Sequence, residues 1–199
     1  MARNNMVWYC CQKNRYLSVP MNRLTRWLVW LSRIHCCRGF GIQSPTDYAF
    51  VRYVVNEHWP YYAYDELSAD SWLQEKLGRL YLRLANWRQP TVILSDDYQQ
   101  WFHAGCHQSN LSHQTSDIRH QTSDIELARI TIDHWDDFLP LLPLCDQQSV
   151  VVVENIWQNP QRWKDIARDP RTGTTFDLYY CGIVFFDTKR YKHNYKINF

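Results

Sequence analysis

Two carboxylates stand where an α/β protein would do chemistry. Asp133 closes the segment Glu126-Leu-Ala-Arg-Ile-Thr-Ile-Asp133, and Glu154, followed by Asn155, closes the run Ser149-Val-Val-Val-Val-Glu154. Both segments read as strands, the second as a buried one. Open α/β sheets bind ligands beyond the carboxyl ends of their strands. Asp133 and Glu154 are therefore the candidate groups for orienting a substrate or acting as a general base. The same residue types also end strands that carry no chemistry, and that reading stands beside the catalytic one.

Metal chemistry has a weaker basis. The seven cysteines are an odd number and include the adjacent pairs Cys10-Cys11 and Cys36-Cys37. Adjacent cysteines are too close for a zinc knuckle, and the set is not a secreted disulfide framework. His35-Cys36-Cys37 could join Cys10-Cys11 in a cluster, but buried or reduced thiols are the simpler reading. The six residues His-Gln-Thr-Ser-Asp-Ile occur at 113–118 and again at 120–125. One copied heptad is too little for a repeat fold, so it reads as a duplicated polar surface loop.

The elements that must position these groups are legible from periodicity. Leu24, Trp27, Leu28, Leu31 and Ile34 fall on one helical face between Asn22 and Ile34. Packing of that face against the domain is the expectation. Because Arg23, Arg26 and Arg33 lie off the stripe, contact with an anionic surface is the alternative. Ser44-Pro45 and Asp47 mark a helix start, with helix to about Glu57. An aromatic loop, His58 to Tyr64, leads to a third helix from about Asp70 to Trp87, with Leu73, Leu77, Leu80 and Leu84 on its stripe. From Pro90 onward the pattern becomes strand (Thr91–Leu94), helix, strand, helix, strand, helix and a closing hairpin. That alternation predicts an α/β fold with a mainly parallel sheet and an antiparallel edge.

The division expected is a poorly ordered extension at 1–20, a helical lead-in at 21–89 and an α/β core at 90–199, one domain overall. A net charge of +2 gives no strong overall field, although both ends of the chain are basic and could touch a phosphate-rich partner. No apolar run reaches the roughly 20 residues of a membrane span, and the N-terminus lacks a signal-peptide core. A cytoplasmic protein is the expectation.

Three stretches resemble the class I S-adenosylmethionine-dependent methyltransferases, in particular small, mostly uncharacterised bacterial members. Gly39-Phe-Gly-Ile-Gln-Ser-Pro45 with Phe50 is similar to their N-terminal start. Val151-Val-Val-Glu-Asn-Ile-Trp157 with Trp163 looks like their fifth strand and following helix, and Asp177-Leu-Tyr-Tyr-Cys-Gly-Ile-Val-Phe-Phe186 resembles their terminal hairpin. The resemblance implies a Rossmann-like methyltransferase sheet, S-adenosylmethionine as cofactor, and a small-molecule or macromolecular methyl acceptor. It places the cofactor turn at Ser95 and Asp96, after the first strand, and makes Tyr61, Tyr62, Tyr64 or Trp101 the aromatic faces for the sulfonium cation. The family's turn is glycine-rich because backbone must approach the cofactor closely. Here Ser95-Asp-Asp-Tyr-Gln-Gln-Trp101 has no glycine before Gly105, and the stretch from Leu94 to Val150 is short. A degenerate relative that keeps the shell and acts by interaction is thus the second expectation.

Overall fold

The computed structural model describes residues 23–112 and 125–199. The expected extension at 1–20 and most of the duplicated loop lie outside these residues.

Seven strands form one sheet in the order β2-β1-β3-β4-β6-β5-β7. They are β1 (Val92–Leu94), β2 (Asn110–Ser112), β3 (Leu127–Thr131), β4 (Val150–Glu154), β5 (Thr175–Asp177), β6 (Cys181–Phe185) and β7 (Asn194–Lys196). β2, β1, β3 and β4 run parallel; β6 lies antiparallel between β4 and β5, and β7 pairs parallel with β5. The mainly parallel α/β sheet is as expected; the antiparallel strand was expected at the edge, whereas β6 lies inside the sheet and β7 forms the edge. β2 and β7 were not foreseen: each has only three residues and no apolar run to announce it.

Helices cover both faces. The chain contributes α1 (Arg23–Ser32), α2 (Pro45–Phe50) continuing as a π-helical turn over Val51–Val55, α3 (Ala63–Glu66), α4 (Trp72–Arg88), α5 (Gln99–Gly105), α6 (Trp135–Phe138) and α7 (Pro160–Arg168). Ser44 caps α2, Ser71 caps α4 and Asn159 caps α7, each accepting from the backbone N–H three residues on. β4 shows why the sheet is doubly covered. Val150 and Val152 join the core under α2, α4 and α5, while Val151 and Val153 join the core under α6 and α7. A strand buried on both faces reads as an unbroken apolar run, as Val150–Val153 does. Gly182 of β6 leaves room for Trp163, whose ring lies where a Cβ at that position would sit.

α1 departs from expectation. The face turned toward the domain carries Thr25, Arg26, Val29 and Arg33, all partly buried, whereas Leu24 is 63% and Leu28 53% exposed. Arg33 anchors the helix: its guanidinium donates to the Asp177 carboxylate at 2.8 Å and to the carbonyls of Asp177 and Ile197 at 2.9 and 3.2 Å. Arg26 lies over the Trp72 ring at 4.4 Å. Two directed arginine contacts and a stacking surface orient the helix, and the apolar stripe is left outside. Among the described residues no helix is long and apolar enough to cross a membrane.

Candidate functional site

The sheet has one edge on which ligands would be expected. The chain leaves β1 outward to β2, then returns across it to β3, so the strand order reverses between β1 and β3. In doubly wound sheets the crevice beyond the carboxyl ends at such a reversal is where ligands bind. Leu94, Thr131 and Glu154 end their strands on this edge, and Cys181 begins β6 there opposite Glu154.

That crevice is filled. Arg129 of β3 holds Glu154 with two parallel bonds, Nε to Oε1 at 3.0 Å and Nη2 to Oε2 at 2.7 Å. Tyr81 of α4 donates its hydroxyl to the same Glu154 Oε1. Tyr98 then covers the cluster: its ring packs on Tyr81 at 4.8 Å, and the Arg129 guanidinium lies over it at 5.5 Å. Tyr98 has φ of 60°, a left-handed conformation rare for a bulky side chain. Its ring contacts with Tyr81 and Arg129 accompany that conformation. Glu154 is 5% exposed and Tyr81 fully buried. Burial pushes the Tyr81 phenol well above its ordinary range, and the Glu154 charge adds to that, so the hydroxyl stays a donor. Burial also works against the Arg129 charge, but the hydrogen bonds and attraction of Glu154 outweigh it and raise the guanidinium pKa.

The predicted site residues are dispersed by this arrangement. Glu154 already accepts three hydrogen bonds, two on Oε1 and one on Oε2. β3 ends at Thr131, and Asp133 sits exposed in a 3-10 turn over Ile132–His134, beyond the strand end it was expected to occupy. Ser95 is buried and donates to the Asp97 carbonyl at 2.5 Å, closing the turn on itself, while Asp96 points to solvent. Trp101 is buried against Gly78, where a Cβ would clash with its indole. Tyr64 does line an open surface, but the Arg79 guanidinium occupies one face of its ring at 4.8 Å. Gly105, the first glycine after β1, serves packing, since a Cβ there would strike the Leu82 carbonyl of α4. No group of three or more potential metal ligands exists among the described residues.

A second concavity lies further along the same edge. A groove of about 1220 Å³ runs between α1, the 56–62 loop and α4, past Tyr180 and Phe199. Lys76, Arg79 and Arg83 face it from successive turns of α4. Arg83 donates to the carbonyls of Val54 and Val55 at 2.7 and 3.0 Å and to the Tyr64 hydroxyl at 3.2 Å. Tyr61 donates to Glu57 at 2.9 Å, and burial, with that carboxylate, pushes its phenol up to about 12. Lys76 forms no salt bridge among the described residues; its amine lies over the Phe199 ring at 4.1 Å and the Trp72 ring at 5.4 Å. Burial, reinforced by Arg83, lowers its pKa to about 8.

The sequence carried signals for both features. Arg129 is a lone charge inside an apolar strand, and Glu154 is the acid that ends the next one: opposite charges on neighbouring strands, two register positions apart. Lys76, Arg79 and Arg83 repeat at helical spacing beside the leucine stripe of α4. No family model, curated protein or solved structure matches this chain.

Proposed function

We propose that this chain is a methyltransferase-like α/β scaffold that acts by binding and transfers no methyl group. The observation that carries the reading is the Arg129–Glu154 pair with Tyr81 and Tyr98 over it. Together they occupy the crevice at the β1/β3 reversal where S-adenosylmethionine would have to lie. The motifs at Gly39–Pro45, Val151–Trp157 and Asp177–Phe186 support a family origin, as does the Rossmann-like reversal with its antiparallel strand pair at the end. The glycine-free Ser95–Asp97 turn supports loss of the cofactor. Methyl transfer would also need a positioned acceptor-activating group; Glu154 is committed to donors and Asp133 stands apart.

The test is a thermal shift series with S-adenosylmethionine and S-adenosylhomocysteine at up to about 1 mM. A ligand at 100 times its dissociation constant adds about 2.7 kcal/mol of apparent stability, which for a domain of this size is on the order of 5–10 °C. The expected result is no shift with either compound. A saturable rise would return the methyltransferase reading to first place.

A further inference from the structure

The groove beside α4 is built of charge and aromatic surface in a specific combination. Six cationic side chains and three carboxylates line it, a larger positive surplus than the +2 of the whole chain. The carboxylates are partly used: Glu57 accepts from Tyr61, and Glu75 pairs with Arg79. Among the described residues Arg23, Arg26, Arg38, Lys76 and Arg83 form no salt bridge. Two buried nitrogens on its walls, Asn56 Nδ2 and Arg79 Nε, are donors without an acceptor. The unpaired cations on these walls are the groups that attract an anion.

The walls between these donors are aromatic. Trp59 is 74% and Tyr62 93% exposed, and Trp27 in the same lining is exposed as well. Large exposed rings are costly in water unless something covers them. A lipid surface fits less well, because Arg26 and Lys76 lie on ring faces inside the groove and the outer stripe of α1 carries no ordered basic row. An open trough larger than a usual small-molecule site, with cations for a backbone and rings for planar groups, is the arrangement that single strands use.

We propose that this groove binds single-stranded nucleic acid, with phosphates on Lys76 and Arg79 and bases stacked on Trp59 and Tyr62. The site is separate from the closed crevice, so this proposal stands or falls independently of cofactor binding.

The test is fluorescence anisotropy of an end-labelled 12-nucleotide single-stranded RNA, and of the matching DNA, with the full chain in about 50 and 200 mM salt. Binding is expected to saturate and to weaken with salt with a log–log slope of about −1.4, from two phosphate contacts on single strands. The pair Trp59→Ala with Tyr62→Ala should weaken binding at least about fivefold, as loss of a stacked base does, and Arg79→Gln should weaken it and reduce the slope to about −0.7. Lys76→Met should weaken binding while leaving the melting temperature equal or higher, which separates a lost contact from a lost fold. The proposal is overturned by no anisotropy change at 50 mM salt, or by binding that all three variants leave intact. It is equally overturned if uridine monophosphate or a duplex of the same length competes as well as the single strand, or if anionic phosphatidylserine vesicles bind the chain and the oligonucleotides do not.

Discussion

Arg129 and Glu154 meet across β3 and β4 with both carboxylate oxygens engaged, and Tyr81 adds a third donor from α4. The geometry makes the cluster internally complete. Removing Arg129 or Glu154 alone leaves the other charge uncompensated, which costs about 3–5 kcal/mol, whereas replacing all three by apolar side chains is often neutral. Glu154→Gln should lower the melting temperature by on the order of 10 °C. The triple variant Arg129→Met, Glu154→Met, Tyr81→Phe should recover most of that loss. Urea or thermal denaturation of both proteins checks this, and a tolerated Glu154→Gln would show that the pair does not hold the crevice shut.

Lys76 gives a pH dependence with a definite sign. The unfolded chain holds this proton up to a pKa of 10.5, the folded one only to about 8. Between those values the unfolded state binds more protons, so stability rises with pH; below pH 8 the cost of the buried charge is fully in force. Lys76→Met removes that cost and should stabilise the protein at pH 7 by up to about 3 kcal/mol. The gain should shrink toward zero as pH approaches 10.5. Urea midpoints at pH 7 and 10 measure it; an equal difference at both would mean that the amine is not desolvated.

α1 should depend on its arginine and not on its leucines. Arg33→Ala removes three hydrogen bonds, one of them to a carboxylate, and should cost about 2–3 kcal/mol. Leu24→Ser with Leu28→Ser touches an exposed stripe and should change stability by less than about 0.5 kcal/mol for each substitution. Circular dichroism melts of the two proteins make the comparison. The reverse order would mean that the stripe is covered in solution.

Gly182 is needed for volume. Gly182→Ala places a methyl group inside the ring of Trp163 and should cost about 1–3 kcal/mol by overpacking. Trp163→Leu in the same chain should relieve part of it. Strict additivity of the two substitutions in a double-mutant cycle would show that they do not share this space.

Much of the frame was legible because it is local. The leucine period of α4, the Ser44-Pro45 start of α2 and the unbroken valines of β4 each follow from short-range geometry. The antiparallel pair β5–β6 follows from two apolar runs with a tight turn between them. The three-residue strands β2 and β7 were not legible, since so short a strand is defined by its neighbour and not by its own pattern. The candidate site was legible in part: Glu154 was singled out, but its role depends on Arg129 and Tyr81, which lie 25 and 73 residues away in sequence.

The sequence alone determined the alternation of elements, the burial of the sheet on both faces and the absence of glycine from the turn after β1. Those are matters of composition and period, which no partner can change. The tertiary structure decided that the crevice is closed, that α1 docks through arginine with its apolar stripe outward, and that Lys76, Arg79 and the 58–62 aromatics share one groove. Each of these turns on where long side chains find their partners after distant segments pair, and a single strand register or helix rotation would have decided them otherwise.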